Sequence, residues 1–261
     1  MLAILDGETV AAEAARIPAT DEGFLRGDGV FEVVRIYGGR PLALDEHLTR
    51  MAGSARNLRL PLDPELVRAD AEALLAAAAP GDCALRLVVT RGGRRLGILE
   101  ALKDLPATIA LATVEYAPTR ILDGVKSLSY GANMLATRLA KEQGAHEALL
   151  VTPHGRVLEA PTCSFFYSLD GETLCTPPLS EHILDSITRR MILASSEIVE
   201  QTLPRDDLAR VTEAFLASTL REVHPVDAID GVAVAAPGTL STAASERVRA
   251  HIDGRMGAPT G

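Results

Sequence analysis

The alternation of strand and helix signals in the first half of the chain is the feature that most constrains its fold. Residues Phe31–Tyr37 have β-branched and aromatic side chains with a period of two, and Gly38-Gly39 favours a turn into a short second strand at Pro41–Leu44. Asp63-Pro64 is typical of a helix start, because aspartate caps free N–H groups and proline suits the first turn. The predicted elements are this hairpin, helices capped by Asp45 and Asp63 that end near Leu58 and Ala79, and buried strands at Cys83–Arg91 and Ala107–Val114.

A polar segment that contains a proline divides the chain into two halves. Glu115–Arg120 has few apolar residues, which favours a connection between domains. We therefore predict an α+β protein with a small N-terminal α/β domain at 1–115, a linker at 116–122 and a C-terminal domain at 123–261. The elements predicted in the second domain are helices at 133–143, 187–200 and 242–252, strands at 212–217 and 222–229, and short strands after Gly144, a residue type that suits a helix C′ position.

Charge and hydropathy exclude several classes of function. The 26 basic and 35 acidic residues give a formal net charge of −9 without a basic tract, so a nucleic-acid surface is not expected. No apolar stretch approaches the roughly 18 to 20 residues of a membrane span, and Met1–Gly7 has no export signal, so we predict a cytoplasmic protein. Cys83, Cys163 and Cys175 are too widely spaced for a disulfide framework or a CxxC zinc motif, and no metal site is predicted.

Lysine is rare in this chain. Only Lys103, Lys126 and Lys141 occur among the 26 basic residues. A GC-rich genome explains the general bias to arginine, but it leaves lysine where arginine cannot substitute, because an imine needs a primary amine that can lose its proton. Lys103 and Lys141 lie in polar segments and are expected to be solvated. Lys126 lies among apolar neighbours, where burial favours the neutral amine, and is the candidate catalytic residue. A surface lysine with a buried stem is the alternative.

Blocks of sequence on both sides of Lys126 match one known family. They are GVKSLSYGANMLA at 124–136, GAHEALLV at 144–151, GRVLE at 155–159, RGDGVFEVVR at 26–35, EHLTR at 46–50, SIT at 186–188 and FLASTLREVHPV at 215–226. In order and rough spacing from residue 23 to residue 231, the chain resembles the class IV aminotransferases, which include branched-chain and D-amino-acid transaminases and aminodeoxychorismate lyases.

This resemblance implies a fold, a cofactor and a reaction. The fold is the two-domain fold-type IV, with a larger C-terminal pseudo-barrel domain, and the cofactor is pyridoxal 5′-phosphate (PLP). The reaction is transamination between an amino acid or primary amine and a 2-oxo acid or ketone, through a Schiff base at Lys126, in a homodimer. By resemblance Lys126 also moves the proton at the substrate Cα. Glu159 keeps the pyridine nitrogen protonated, unless it is only a carboxylate at the end of a strand.

The resemblance also implies which residues hold the phosphate and the substrate. The phosphate is assigned to Arg50, Ile187, Thr188 and Thr219, and Ser218 is assigned to the cofactor without a more specific role. The SIT block lies at a predicted helix start, where free N–H groups attract an anion. The substrate is assigned to Phe31, Arg35 and Arg86, together with Arg95 or Arg94 in a loop where some members bind a carboxylate. As alternatives, Arg50 is an exposed helix residue, Thr188 only a first-turn residue, and Arg91, Arg94 and Arg95 form a solvated turn.

Departures from the family pattern help to separate the subfamilies. Ala160, Ser164 and Ser186 replace the glycine, asparagine and glycine of many relatives, but the lysine, the carboxylate and the phosphate donors remain. Lyase members commonly have threonine after the phenylalanine of the RGDGVF block and an Arg-x-Gly-Tyr loop, whereas this chain has Glu32 and Arg95-Leu-Gly-Ile98. These differences favour a transaminase, close to D-amino-acid or (R)-amine enzymes at Glu32–Arg35 and to branched-chain enzymes at Arg86.

Two other functions remain as alternatives. One is an aminodeoxychorismate lyase that releases pyruvate and 4-aminobenzoate. The other is a nucleotide-binding or regulatory protein, suggested by Gly27-Asp-Gly29 and Gly92-Gly93. Neither glycine cluster completes GxGxxG after a strand or supplies GK[ST], so the sequence favours the PLP enzyme.

Overall fold

The computed structural model describes residues 1–257 and divides them into two units. The first comprises Met1–Asp104, Gly124–Tyr130 and residues 255–257. The second comprises Leu105–Asp123 and Gly131–Gly254. The segment that carries Lys126 is therefore separated in sequence from the rest of the first unit.

The first unit contains one antiparallel sheet and three helices. Its elements are β1 (Leu2–Leu5), β2 (Glu8–Ala11), α1 (Glu22–Arg26), β3 (Gly29–Tyr37), β4 (Arg40–Pro41), α2 (Leu44–Asn57), α3 (Pro64–Ala77), β5 (Cys83–Thr90) and β6 (Arg95–Glu100). The strands follow the order β2-β1-β6-β5-β3-β4. Strand β3, next to the short edge strand β4, pairs with β5 from Gly29 to Ile36. The strand that the alternating pattern of Phe31–Tyr37 predicts is confirmed.

Helices α2 and α3 cover one face of this sheet. Val30, Val34 and Ile36 of β3 pack in a buried cluster with Leu48 and Met51 of α2. Burial of each such side chain contributes about 1.5–3 kcal/mol to folding. Because side chains alternate along a strand, the intervening residues of β3 point to the opposite face. We call this opposite face the Phe31 face; it carries Phe31, Val33 and Arg35 of β3, Arg86 of β5 and Glu100 of β6.

The second unit contains a curled sheet of ten strands with helices packed on it. Its elements are β7 (Ile109–Glu115), α4 (Gly131–Glu142), β8 (Glu147–Val151), β9 (Arg156–Val157), β10 (Ser164–Ser168), β11 (Cys175–Thr176), α5 (Ile187–Ser195), β12 (Val199–Glu200), β13 (Leu203–Pro204), β14 (Glu213–Ser218), β15 (Glu222–Ile229), β16 (Val232–Ala233) and α6 (Thr239–Met256). The order is β12-β11-β10-β14-β15-β7-β8-β9-β13, and β16 pairs with β15. Its core includes Phe165, Tyr167, Leu149 and Leu216.

The ends of helices show where local sequence signals succeed and fail. Asp63 caps α3 as predicted, because its carboxylate accepts a hydrogen bond from the Glu65 N–H at 2.9 Å. Gly144 follows α4 with a φ of 83°, a left-handed conformation that glycine adopts without strain. The prediction that Asp45 caps α2 is wrong, since Ala43 occupies the cap position and Asp45 lies in the first turn.

Two other predictions are corrected by strand pairing. Helix α5 ends at Ser195 instead of residue 200, because Val199–Glu200 forms β12 beside β11. Arg95, expected in a loop, begins strand β6, which lies between β1 and β5. The hairpin of β1 and β2 has no counterpart among the elements predicted from the sequence. Within residues 1–257, we find no helical segment with the length and apolar character of a membrane span.

Candidate active site

The segment around Lys126 is fixed to the edge of β3 by its backbone. The Phe31 N–H donates to the Lys126 carbonyl at 3.1 Å, and the Leu128 N–H donates to the Gly29 carbonyl at 2.9 Å. The Lys126 N–H donates to Ser54 Oγ of α2 at 3.1 Å. A Cβ atom on Gly29 would lie 2.6 Å from the backbone carbonyl oxygen of Val89 in β5 and 2.6 Å from a terminal side-chain carbon of Leu128, so glycine is needed where the segment, β3 and β5 meet. Lys126 is therefore held against β3 on a defined backbone.

The Lys126 amine lies over two aromatic rings. Its Nζ atom is 4.1 Å from the centre of the Phe31 ring and 5.4 Å from that of Tyr130. The two rings meet edge to face, with their centres 5.1 Å apart. Aromatic faces attract an ammonium group within about 6 Å, and they limit the positions that the flexible lysine chain can adopt. The structure thus brings together the predicted residues Lys126 and Phe31, and adds Tyr130.

A buried cluster of charged residues lies on the other face of β3. The Glu32 carboxylate, fully buried, accepts hydrogen bonds from Arg50 Nε and Nη2, both at 2.7 Å, and lies 2.7 Å from His47 Nδ1. Burial alone would raise the pKa of Glu32, but the bonds from Arg50 and His47 outweigh it and lower the pKa to about 2. Glu32 is therefore ionised at neutral pH and can only accept, so His47 Nδ1 donates.

His47 stays largely neutral in this cluster. Burial lowers the pKa of its imidazole, and this effect exceeds the opposing effect of Glu32; the charges of Arg50 and Lys126 lower the pKa further. The two helix residues lie three positions apart, on the face of α2 that packs on β3. The predicted phosphate ligand Arg50 is therefore not an exposed helix residue, since its side chain is only 10% exposed. Its two bonds to Glu32 set the orientation of the guanidinium.

The start of α5 presents backbone donors. Ser186 is the N-cap, with its Oγ accepting from the Arg189 N–H at 3.3 Å and its carbonyl from the Arg190 N–H at 2.9 Å. Among the described residues, the N–H groups of Ile187 and Thr188 have no acceptor. Free N–H groups and the helix dipole at such an end attract an anion. The helix start predicted from the SIT block is confirmed.

Glu159 lies beside the segment that leads into α5. Its Oε1 atom accepts a hydrogen bond from the Leu184 N–H at 2.9 Å, two residues before Ser186. Glu159 is half-buried. Burial raises the pKa of Tyr116, and the negative charge of Glu159 raises it further. Within the second unit, the structure therefore brings the predicted carboxylate and the predicted anion-binding helix end together.

The predicted residues Ser218 and Thr219 lie where β14 turns into β15. Ser218 ends β14 and pairs with Glu222, and its Oγ accepts from the Arg221 N–H at 3.3 Å. The Arg221 guanidinium donates to Glu147 of β8 at 3.1 Å, which fixes the turn to the sheet. Thr219 is half-buried within this turn.

Ser164 is an unsatisfied buried group in the neighbouring strand. Its residue pairs with Ala217, next to Ser218, and is 1% exposed. Its Oγ atom has no hydrogen-bond partner among the described residues. A buried hydroxyl without a partner is unfavourable by about 1–3 kcal/mol, so this position suits a polar ligand group.

The arginines predicted to bind substrate are all engaged in ion pairs. Arg86 lies on the Phe31 face and pairs with Glu100, and its Cζ is 5.7 Å from the centre of the Phe31 ring. Arg35, on the same face, bonds Asp82 at 3.0 Å. Arg95 donates to Asp70 of α3 at 2.7 Å, on the face covered by helices, and Arg94 pairs with Asp6. The structure brings Arg86 to Lys126 through Phe31, and it does not bring Arg95 there.

Glu32, His47 and Tyr130 were not among the predicted site residues, whereas Arg50 was. Glu32 could have been found from the sequence, because it is a charged residue at a position of β3 where the alternating pattern predicts a buried side chain. A buried charge requires partners of opposite charge or hydrogen-bond donors. His47 and Arg50 are those partners, at helix spacing. Tyr130 has no comparable signal, because its contact with Phe31 depends on the pairing of distant segments.

Comparison with known protein sequences identifies relatives over most of the chain. A family model described as Amino-transferase class IV matches residues 29–229. The chain is 33% identical over 252 residues to the putative branched-chain-amino-acid aminotransferase of Methanocaldococcus jannaschii, with 87% of each chain covered. It is 31% identical over 261 residues to a D-alanine aminotransferase of Listeria monocytogenes, with 90% of each covered.

Comparison with solved structures gives the same picture. The fold IV-transaminase of Curtobacterium pusillum superposes with a TM-score of 0.86 at 26% identity, over 96% of this chain and 93% of that one. The PLP-bound form of a hypothetical aminotransferase from Mycobacterium tuberculosis superposes with a TM-score of 0.87 at 26% identity, over 97% of this chain and 99% of that one. The predicted fold class is confirmed.

The Glu32 cluster leads to a prediction about stability. Replacement Glu32→Gln removes the charge that compensates buried Arg50, and we expect unfolding free energy at pH 7 to fall by about 3 kcal/mol. The bonds from Arg50 and His47 lower the pKa of Glu32 in the folded protein to about 2, below its ordinary value of 4.5. The ionised carboxylate therefore stabilises the fold fully above about pH 4.5, and this contribution is lost as the pH falls toward about 2. Urea unfolding between pH 7 and pH 3 should therefore show the difference from wild type shrinking below about pH 4.5.

The matched control is Glu8→Gln, at an exposed position of β2. It should change stability by less than about 0.5 kcal/mol at every pH. An equal loss in the two variants, or a pH-independent loss for Glu32→Gln, would contradict the assignment of an ionised buried carboxylate.

Proposed function

The chain belongs to the class IV aminotransferase family and is a transaminase, and on that premise we propose that PLP held by Lys126 carries its reaction. The substrates in this proposal are an amino acid or primary amine as donor and a 2-oxo acid as acceptor. The observation that carries it is the position of the Lys126 amine, 4.1 Å from the Phe31 ring centre on a segment bonded to β3. Lys103 and Lys141, by contrast, are exposed.

The chemistry of the second unit fits the polar groups of PLP. The free N–H groups of Ile187 and Thr188 and the turn with Ser218 and Thr219 would hold the phosphate. Arg50 lies in the first unit, where Glu32 orients its guanidinium, and it is assigned to the phosphate by the family resemblance alone. The buried Ser164 hydroxyl, which lacks a partner among the described residues, supports a polar ligand near the same strand ends. When bound, PLP supplies an electron sink for the electron pair at the substrate Cα.

Glu159 would complete the cofactor site by holding the pyridine nitrogen in its protonated form. A carboxylate in this role must be ionised and fixed in orientation. The hydrogen bond from Leu184 to Oε1 fixes one carboxylate oxygen.

The Lys126 amine would accept the proton from the substrate Cα and would then donate a proton, so that it acts first as a base and then as an acid. Proton transfer by a positioned group contributes typically 10²–10⁴-fold to a rate, and it requires that the group stay within hydrogen-bond reach of the proton. Phe31 and Tyr130 limit the positions of the amine, which favours such reach.

The substrate would lie on the Phe31 face. Phe31 and Arg86 are the predicted substrate residues nearest Lys126, and Arg35 lies further along β3. Arg95 is paired with Asp70 on the opposite face, so we leave it out of the proposed substrate site. The names of the relatives, branched-chain-amino-acid and D-alanine aminotransferase, support amino acids and 2-oxo acids as substrates.

We also propose a homodimer in the cytoplasm. The homodimer follows from the family resemblance. All three cysteines are free thiols, which is typical of a reducing compartment and supports the cytoplasmic location.

The test of the proposed function is a half-reaction screen. The purified protein is loaded with PLP and mixed separately with L-amino acids, D-amino acids, (R)- and (S)-amines and aminodeoxychorismate, while the visible absorbance of the bound cofactor is followed. We expect an amino acid or amine to convert the cofactor to its amine form. Pyruvate release from aminodeoxychorismate without this conversion would favour the lyase, and failure to bind PLP would refute both.

Lys126→Ala should abolish turnover while PLP still binds noncovalently, because the phosphate and ring contacts do not involve the amine. Mass spectrometry after borohydride reduction should show PLP attached to the wild type but not to this variant. Lys141→Ala, at an exposed position of α4, is the control and should behave as wild type. The assignment would be falsified if Lys126→Ala kept wild-type turnover.

Glu159→Gln should lower kcat more than it weakens PLP binding. A charge-assisted hydrogen bond contributes about 1.5–3 kcal/mol, so we expect a fall in kcat of roughly 10- to 100-fold, with the Kd for PLP rising less than about 3-fold. Steady-state kinetics and equilibrium dialysis measure the two quantities. Glu172→Gln, an exposed carboxylate of the same unit, should change neither; a Kd effect larger than the kcat effect would assign Glu159 to binding alone.

A further inference from the structure

Arg86 and Glu100 form a two-point ion pair on the Phe31 face. Arg86 Nε lies 2.7 Å from Glu100 Oε1, and Nη2 lies 3.0 Å from Oε2. This arrangement occupies one complete edge of the planar guanidinium. The same guanidinium lies 5.7 Å from the centre of the Phe31 ring, on which the Lys126 amine also packs. A carboxylate is therefore already bound to the cation nearest to the reactive lysine among the arginines predicted to bind substrate.

Strand register shows from which side Glu100 approaches. The Phe31 face has three successive cross-strand rows: Phe31, Val88 and Leu96; then Val33, Arg86 and Ile98; then Arg35, Ala84 and Glu100. Glu100 therefore holds Arg86 from the row on the side away from Phe31. Apart from Arg86, the first two rows contain only apolar side chains. Because Glu100 in the third row balances the charge of Arg86, the surface next to the Lys126 amine is neutral and largely apolar.

The pair changes which substrate side chains this surface can bind. Without Glu100, the Arg86 fork would offer a charged, planar site for a carboxylate in the substrate side chain. With Glu100 in place, an incoming carboxylate must replace it or approach a second negative charge. Like charges brought together are unfavourable. The side chains of Arg86 and Glu100 are 35% and 33% exposed, so water screens part of this effect.

We propose that Glu100 is a specificity-determining residue, which occupies Arg86 and so disfavours substrates with a carboxylate in the side chain relative to substrates with a neutral side chain. This inference rests on the proposed function and concerns the same site. Glu100 acts through Arg86 and takes no part in the reaction at Cα.

The test compares glutamate with alanine as donors, each in the enantiomer that the wild type uses. Glu100→Gln keeps the size of the side chain but removes its charge. We expect the ratio of kcat/KM for glutamate to that for alanine to rise about 3- to 10-fold, the range for a partly screened charge pair. If this variant does not fold, Glu100→Asp, which withdraws the carboxylate by one methylene, should raise the same ratio by a smaller factor.

Two further variants separate this effect from a general loss of charge. In the double variant Arg86→Gln/Glu100→Gln the gain should disappear, because it requires the freed guanidinium. Asp207→Asn is the matched control, since Asp207 is 32% exposed and pairs with Arg210 in the second unit. It should leave the ratio unchanged.

A binding measurement gives a readout that does not depend on turnover. Calorimetry compares glutarate with pentanoate, which have the same number of carbons but two and one carboxylates. In Glu100→Gln the preference for glutarate should rise by a similar factor. An unchanged or lower ratio in both measurements, or a gain that persists without Arg86, would overturn the inference. If neither amino acids nor amines convert the bound PLP of the wild type to its amine form, the proposed function is overturned instead.

Discussion

The hydrogen bonds between residues 126–128 and the edge of β3 are the constraint on which the rest of the site depends. They place the Lys126 carbonyl against the Phe31 N–H, and glycine at position 29 leaves room for Leu128 beside β3 and for the Val89 carbonyl of β5. The segment Gly124–Tyr130 belongs to the first unit, while its flanking residues belong to the second. Lys126 itself lies in neither a helix nor a strand, so its position depends on these hydrogen bonds. Strand β3, almost 100 residues earlier in the sequence, fixes the position of Lys126. The contact of its amine with the Phe31 ring follows from this pairing of the segment with β3.

That strand is itself supported by a buried charge. Glu32 lies between Phe31 and Val33, and its carboxylate holds both His47 and Arg50 of α2. An isolated buried carboxylate would be costly, and replacement of the whole cluster by apolar residues would serve packing equally well. What the cluster adds is orientation, because a two-point pair between Arg50 and Glu32 fixes the guanidinium plane in a way that apolar contacts do not. We infer that this explains a charged cluster in a position where alternation predicts an apolar residue.

The parts of the fold that the sequence predicts are those that depend on local physics. Asp63-Pro64 marks a helix start through interactions between neighbouring residues. The alternation in Phe31–Tyr37 identifies a strand with one buried face. Arg95 was expected in a loop by family resemblance, but it begins strand β6, which pairs with β1 at the start of the chain; local signals carry no information about such pairing. The same limit applies to the site. Lys126 could be selected by composition and resemblance, whereas the contact of Tyr130 with Phe31 and the direction of Arg95 toward Asp70 depend on tertiary packing.

Arginine and lysine have different uses in this chain, and the difference has a chemical reason. Arg50, Arg86 and Arg91 each hold one carboxylate through Nε and Nη2, with all the bonds between 2.7 and 3.2 Å. A guanidinium keeps its proton throughout the physiological pH range, so these pairs persist as fixed parts of the structure. A primary amine can lose its proton and form a covalent bond to an aldehyde, which a guanidinium does not do. In a protein whose basic residues are almost all arginines, the amine of Lys126 is therefore chemically distinct from the permanently charged arginines around it, and its position against Phe31 places that distinct group on the face where Arg86 and Glu100 lie.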